Sequence, residues 1–146
     1  MSNNLAVEDI YQRLLEYHGR QEWWPADTAF EVMVGAVLTQ NTSWKNVEVA
    51  ILRLRQADAL EPEKILGLSD AGLGELLRPS GYFNVKARRL KAVCRWLVDA
   101  GGVEELSRHE TDSLRASLLL VHGVGPETAD DILLYAFDRR IFVIDA

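Results

Sequence analysis

The sequence predicts an all-α fold, and three observations carry that expectation. Apolar residues recur at helical spacing almost from end to end, and glycines and prolines fall where one helical stretch gives way to the next. The only segment that reads as a strand, Ile141 to Ile144, has no second strand to pair with and is expected as an extended connection. About eight helices follow from this pattern.

The first runs from Leu5 to Tyr17, with Val7, Ile10, Leu14 and Tyr17 on one side, and stops at Gly19. Asp27 or Thr28 caps a second through Phe30, Val34, Val37 and Leu38. After Asn41-Thr42-Ser43, a third spans Trp44 to about Ala57 with Val47, Ile51 and Leu54 inward. Pro62 opens a short turn near Ile65 and Leu66. Ser69 caps a weak helix around Leu73, Leu76 and Leu77 that Pro79 and Gly81 end. The helix from Asn84 to Asp99 is expected to bury Val85, Leu90, Val93, Cys94 and Leu97, and Gly101-Gly102 stops it. Thr111 caps a helix leading to Leu120, and Pro126 starts the last, which ends near Phe137.

At 146 residues and 48% hydrophobic, the chain is long enough for one well-formed core. No apolar run approaches the roughly 18 residues that a membrane span needs, and Met1-Ser2-Asn3-Asn4 lacks the features of a signal peptide. The single cysteine, Cys94, allows no internal disulfide, which fits a reducing cytoplasm or nucleoid. It also excludes an iron–sulfur cluster held by these residues alone, since a cluster takes about four thiolates. With 16 basic and 22 acidic residues, the net charge of −6 argues against a non-specific DNA coat protein. An enzyme that grips DNA through one local surface and its backbone amides stays compatible with it.

The segment most informative about function is Leu119-Leu120-Val121-His122-Gly123-Val124-Gly125-Pro126-Glu127-Thr128-Ala129-Asp130. An apolar run meets a Gly-x-Gly turn and a helix restarts at once, which is a helix-hairpin-helix. Gly123 and Gly125 permit positive φ and close approach of a backbone, and Pro126 removes an N–H that would be unpaired at a helix start. Such a turn suits one phosphate of a nucleic-acid backbone, although Gly-x-Gly alone also makes a plain tight turn. A carboxylate, Asp145, follows 18 residues after Glu127 at the end of the apolar run. It could stabilise an oxocarbenium-like sugar and activate water, or cap a following helix.

Together these residues resemble the HhH-GPD superfamily of DNA glycosylases, the endonuclease III-like base-excision repair enzymes, over about Trp23 to Asp145. The resemblance implies that Asp145 is the catalytic aspartate. It implies that Gly123, Val124 and Gly125 hold a phosphate, and that the carbonyls of Leu119, Val121 and Val124 hold a monovalent cation. Gln40, closing Val34-Gly35-Ala36-Val37-Leu38-Thr39-Gln40, falls where the family inserts a glutamine into the gap left by the extruded nucleotide. Gly81-Tyr82-Phe83-Asn84-Val85-Lys86-Ala87 resembles the second DNA-touching turn, with Tyr82 as wedge and Lys86 on the DNA side. Arg88, Lys91 and Arg95 share a helix face that is either solvated or phosphate-facing.

Glu127 departs from the endonuclease III pattern, which has a lysine there to attack C1′ and form a Schiff base. A carboxylate cannot do this, and no lysine follows Lys91. A monofunctional, water-using glycosylase is therefore expected, unless Glu127 simply sits favourably at a helix start. Trp23, Trp24 and Trp44 offer indole faces to a cationic base such as an alkylated purine, with core packing as the plainer role. Trp-Trp-Pro, Thr-Gln-Asn-Thr and Glu127 look most like the 3-methyladenine glycosylase III branch.

The resulting expectation is a base-excision repair hydrolase that releases a flipped damaged base from double-stranded DNA, acts as a monomer and touches no membrane. Its rivals are an endonuclease III-like glycosylase and AP lyase for oxidised pyrimidines, and a helix-hairpin-helix DNA-binding module without chemistry. Residues 1–26 are read as an N-terminal helix of a second lobe whose C-terminal part is absent. Residues 27–146 form the HhH-GPD domain, with the hairpin at about 112–137. The chain reads as truncated at the C-terminus, and a 4Fe-4S cluster is expected only in a missing C-terminal segment.

Overall fold

The computed structural model describes residues 2–19 and 26–144, with side chains from residue 6 onward. Among these residues there is no strand, as the apolar spacing predicts, and nine α-helices form the fold where about eight were expected. They are α1 (Ser2–His18), α2 (Ala29–Leu38), α3 (Trp44–Gln56), α4 (Pro62–Gly67), α5 (Asp70–Leu77), α6 (Phe83–Asp99), α7 (Val103–Ser107), α8 (Thr111–Leu119) and α9 (Pro126–Asp131). The expected boundary between residues 26 and 27 adjoins residues 20–25, which lie outside the described residues.

α2 is apolar but for Glu31 and is the central helix: every residue from Phe30 to Leu38 is buried. Thr28 caps it, its hydroxyl accepting the Glu31 N–H at 3.1 Å. Glu31 is itself buried, accepting from the Asp27 N–H at 2.8 Å and from the Arg55 guanidinium. α6 crosses this core and packs against α2, α4 and α5, while α3 closes the other side against α5. Met33, Leu38, Leu54, Leu90, Leu118 and Ile132 are fully enclosed. Truncating such a leucine to alanine typically costs about 2–5 kcal/mol.

Four expectations need correction. α6 buries Lys86 and Ala87 rather than Val85, so its inward stripe is rotated by one residue at its start. Thr111 is the first helical residue of α8, whose N-cap is Glu110; its hydroxyl instead accepts from Arg139 Nη1 at 3.0 Å. The five-residue α7 follows Gly102 directly, so the glycines that end one helix open another. The last helix stops being regular at Asp131 and continues as a π-helical turn over Ile132–Ala136. On α1, the expected stripe of Val7, Ile10, Leu14 and Tyr17 is exposed.

Candidate nucleic-acid interface

The hairpin is built by packing on both sides of a sharp reversal. α8 ends at Leu119, Gly123 takes φ +85°, Gly125 is extended, and Pro126 restarts the chain as α9. Val124 tucks its side chain inward and donates its N–H to Val121 O at 3.1 Å. The Gly123 and Gly125 N–H groups donate to no backbone carbonyl among the described residues. Arg115 on α8 grips the Asp130 carboxylate on α9 through two contacts of 2.8 and 3.3 Å, clamping the two helices together. The turn is thus clamped between two helices and leaves two amides without a backbone acceptor, as a phosphate contact requires.

Gln40 sits in the turn that follows α2 and reaches across to the hairpin. Its amide nitrogen donates to Gly123 O at 3.1 Å and to the Thr128 hydroxyl at 3.0 Å. Its carbonyl oxygen accepts from Arg89 Nη1 at 2.7 Å. The side chain that the resemblance assigns to the duplex gap is therefore docked on the protein at both ends. Tyr82 has left-handed backbone geometry after Gly81, and at 69% exposure its ring projects into solvent.

Lys86, expected on the DNA side, is instead buried. It is 1% exposed, and its ammonium donates to Leu38 O at 2.8 Å and Ser80 O at 2.6 Å. One carbonyl ends the helix before Gln40, and the other lies two residues before Tyr82. The lysine therefore ties the two loops together from beneath. Burial, with the nearby Arg89 charge, pulls its pKa down to about 8. Because the unfolded chain keeps the ordinary value of 10.5, the unfolded state binds more protons between these values, and stability rises with pH there. Wild type should gain roughly 3 kcal/mol from this group between pH 7.5 and 10.5. Lys86→Met should lack that gain, which urea titrations at the two pH values measure.

An open cleft of about 860 Å³ lies between the Gln40 loop and the hairpin. Gln40, Arg89, Gly123, Gly125 and Glu127 line it, together with Asp131 and Ile144. It thus brings together the glutamine loop, the hairpin, the Glu127 carboxylate and the residue preceding Asp145. Asp145 itself, with Trp23 and Trp24, lies outside the described residues. Trp44 does not line the cleft: it opens α3, packs half-buried on the core and donates to Glu48 Oε1 at 3.1 Å. Arg88, Lys91 and Arg95 border a separate groove of about 460 Å³ beside His122. There Lys91 is already spent on Asp70 at 2.7 Å, holding that carboxyl below its usual range.

Sequence reasoning missed Arg89, Thr128 and Asp131. Arg89 stands three residues after Lys86 and so shares its helix face, but only the tertiary carbonyls and Gln40 give that face its meaning. Among the described residues, no group of three or more His, Cys, Asp or Glu could hold a metal ion. Burial pushes the Cys94 thiol up to about 12, so it is not a nucleophile at neutral pH. No described helix is long and apolar enough to cross a membrane.

This hairpin-and-cleft arrangement falls within a known class. Residues 34–146 match the model of the HhH-GPD superfamily of base excision DNA repair proteins, and the chain belongs to that superfamily. A Methanocaldococcus jannaschii protein named as a candidate DNA repair glycosylase is 56% identical over 143 residues, covering 96% of this chain and 65% of its own length. Endonuclease III of Thermotoga maritima is 30% identical over 116 residues, 80% of this chain and 51% of that protein. The chain thus spans about half to two thirds of the length of these two relatives.

Among solved structures, the H. pylori 3-methyladenine DNA glycosylase MagIII bound to 1,N6-ethenoadenine superposes with a TM-score of 0.79 and 33% identity, over 96% of this chain and 67% of that one. A non-covalent Endonuclease III–DNA complex gives a TM-score of 0.76 over 99% and 65% of the two chains, and at 20% identity shares the fold.

Proposed function

We propose that this chain carries the base-releasing centre of a monofunctional DNA N-glycosylase acting on alkylated purines in duplex DNA. The observation that carries this reading is the cleft where hairpin, glutamine loop, Glu127 and the approach to Asp145 converge. Gly123, Val124 and Gly125 would hold one phosphate through main-chain amides. Tyr82 would wedge into the stack, and Gln40 would leave its partners on Gly123 and Thr128 to fill the vacated space. The extruded nucleotide would then lie with its C1′ beside the Asp145 carboxylate.

The chemistry needs no covalent enzyme intermediate. The glycosidic bond breaks with its electron pair leaving on the base, and the sugar takes up positive charge that the carboxylate offsets. Water adds to C1′ and passes a proton to Asp145. A base that is already cationic leaves readily, and the likeness to the 3-methyladenine glycosylase favours such a purine. Trp23, Trp24 and Trp44 would supply the aromatic wall. The carbonyl oxygens of Leu119, Val121 and Val124 are hard donors suited to a monovalent cation. One lone pair of Val121 O is already taken by the Val124 N–H at 3.1 Å, so the others would do the holding. A bound cation would add positive field beneath the phosphate.

The relatives named Endonuclease III favour a second reading, in which an amine attacks C1′ and the strand is nicked. Borohydride separates the two on duplexes carrying 3-methyladenine, 1,N6-ethenoadenine or thymine glycol. The proposal expects base release from an alkylated or etheno purine, strand breaks only after alkali, and no reduced protein–DNA adduct. A trapped adduct would overturn the role given to Glu127.

A further inference from the structure

α6 presents two cations on one face, and the second is placed oddly. Arg89 lines the cleft, yet its guanidinium is turned toward the protein: Nη1 donates to Gln40 Oε1 at 2.7 Å. Its Nε is buried with no hydrogen-bond partner among the described residues. Its aliphatic stem lies flat on Gly123, so close that a Cβ there would stand 2.5 Å from Arg89 Cδ and 2.9 Å from Nε. A side chain that only decorated the surface would not give up hydration in this way.

The contacts of Arg89 meet those of Gln40. Gln40 bonds to Gly123 O at 3.1 Å and to Thr128 at 3.0 Å, so Arg89, Gln40 and the hairpin close a ring of interactions. One member of that ring belongs to the proposed gap filler and another to the proposed phosphate clamp. Their spacing decides whether both can engage one duplex at once, and errors of about an ångström in such registers are costly.

We propose that Arg89 is a positioning residue that braces the Gln40 loop against the hairpin, acting through Gln40 Oε1 and the Gly123 backbone rather than by touching DNA. This rests on the glycosylase reading above for its role in base extrusion, but the brace itself can be seen without DNA.

Two measurements separate these layers. The first is amide hydrogen exchange on the DNA-free protein. Arg89→Met keeps an apolar stem over Gly123 but removes the bond to Gln40, and should speed exchange about tenfold at the hairpin amide of Val124, whose N–H is bonded to Val121 O. The second uses a duplex with 2-aminopurine opposite a tetrahydrofuran abasic analogue, whose fluorescence reports unstacking. Arg89→Met should lose about fivefold of the unstacking signal at saturation, while the slope of log affinity against log salt stays within about 0.3 of wild type. Arg89→Lys, which keeps a donor in reach of Gln40, should restore part of the signal. Gln40→Leu combined with Arg89→Met should lose no more than Gln40→Leu alone.

A salt slope reduced by about 0.9 would make Arg89 a direct phosphate contact and overturn the proposal. Unchanged exchange at the hairpin would overturn it as well. Failure of the wild type to bind the duplex would sink the glycosylase reading and the role in extrusion, and the exchange result would then report the brace as a folding contact alone.

Discussion

Replacing Gly123 with alanine should weaken binding to a duplex containing an abasic analogue by at least about tenfold and lower stability by roughly 1–3 kcal/mol. Two effects act together. At φ +85° an L side chain is strained whatever space surrounds it, and here a Cβ overlaps Arg89 Cγ and stands 2.5 Å from Cδ. Either the turn opens and its amides lose their shared direction, or Arg89 is displaced and releases Gln40. Gly125 is a useful contrast, because it is extended and a Cβ there meets nothing within 4 Å. Gly125→Ala should therefore fold with near wild-type stability. Thermal unfolding and fluorescence anisotropy on the two variants read both quantities, and wild-type affinity in Gly123→Ala would refute the role given to the turn.

The residues that set the fold were legible where local physics decides. Ser69 and Pro126 open helices where the sequence indicates, Pro62 opens a helix where only a short turn was expected, and Gly101 and Gly102 end α6. Thr28 was one of two candidate caps, and the Glu31 N–H selects it. α7 was hidden because its five residues carry too little periodicity to stand out. The π-helical turn was hidden because the apolar spacing of Ile132 to Ala136 reads equally as regular helix.

The site was legible in part. The Gly-x-Gly reversal and the turn around Tyr82 announce their backbone geometry through glycine, and both have it. Lys86 misled because a lysine within a basic run on an amphipathic helix normally stays in water. Its burial is set by two carbonyls from distant segments, at Leu38 and Ser80, that no local pattern contains. The ring formed by Arg89, Gln40 and the hairpin is likewise non-local, joining residues 49 and 83 positions apart.

The largest expected effect is at Asp145. Ile144, the last described residue, is among those lining the cleft. In the proposed chemistry this carboxylate both offsets the sugar cation and takes the proton from water. Asparagine keeps the size and the hydrogen-bonding oxygen but loses the charge and the basicity. The phosphate grip, made by main-chain amides of the hairpin, does not involve it.

The decisive measurement is single-turnover base release by Asp145→Asn beside wild type, on a duplex that the wild type processes, with affinity for the abasic-analogue duplex measured in parallel. Release should fall on the order of a thousandfold, while duplex affinity stays within about twofold. Undiminished release, or a loss of affinity that tracks the loss of release, would contradict the assignment of this cleft as a centre of base excision.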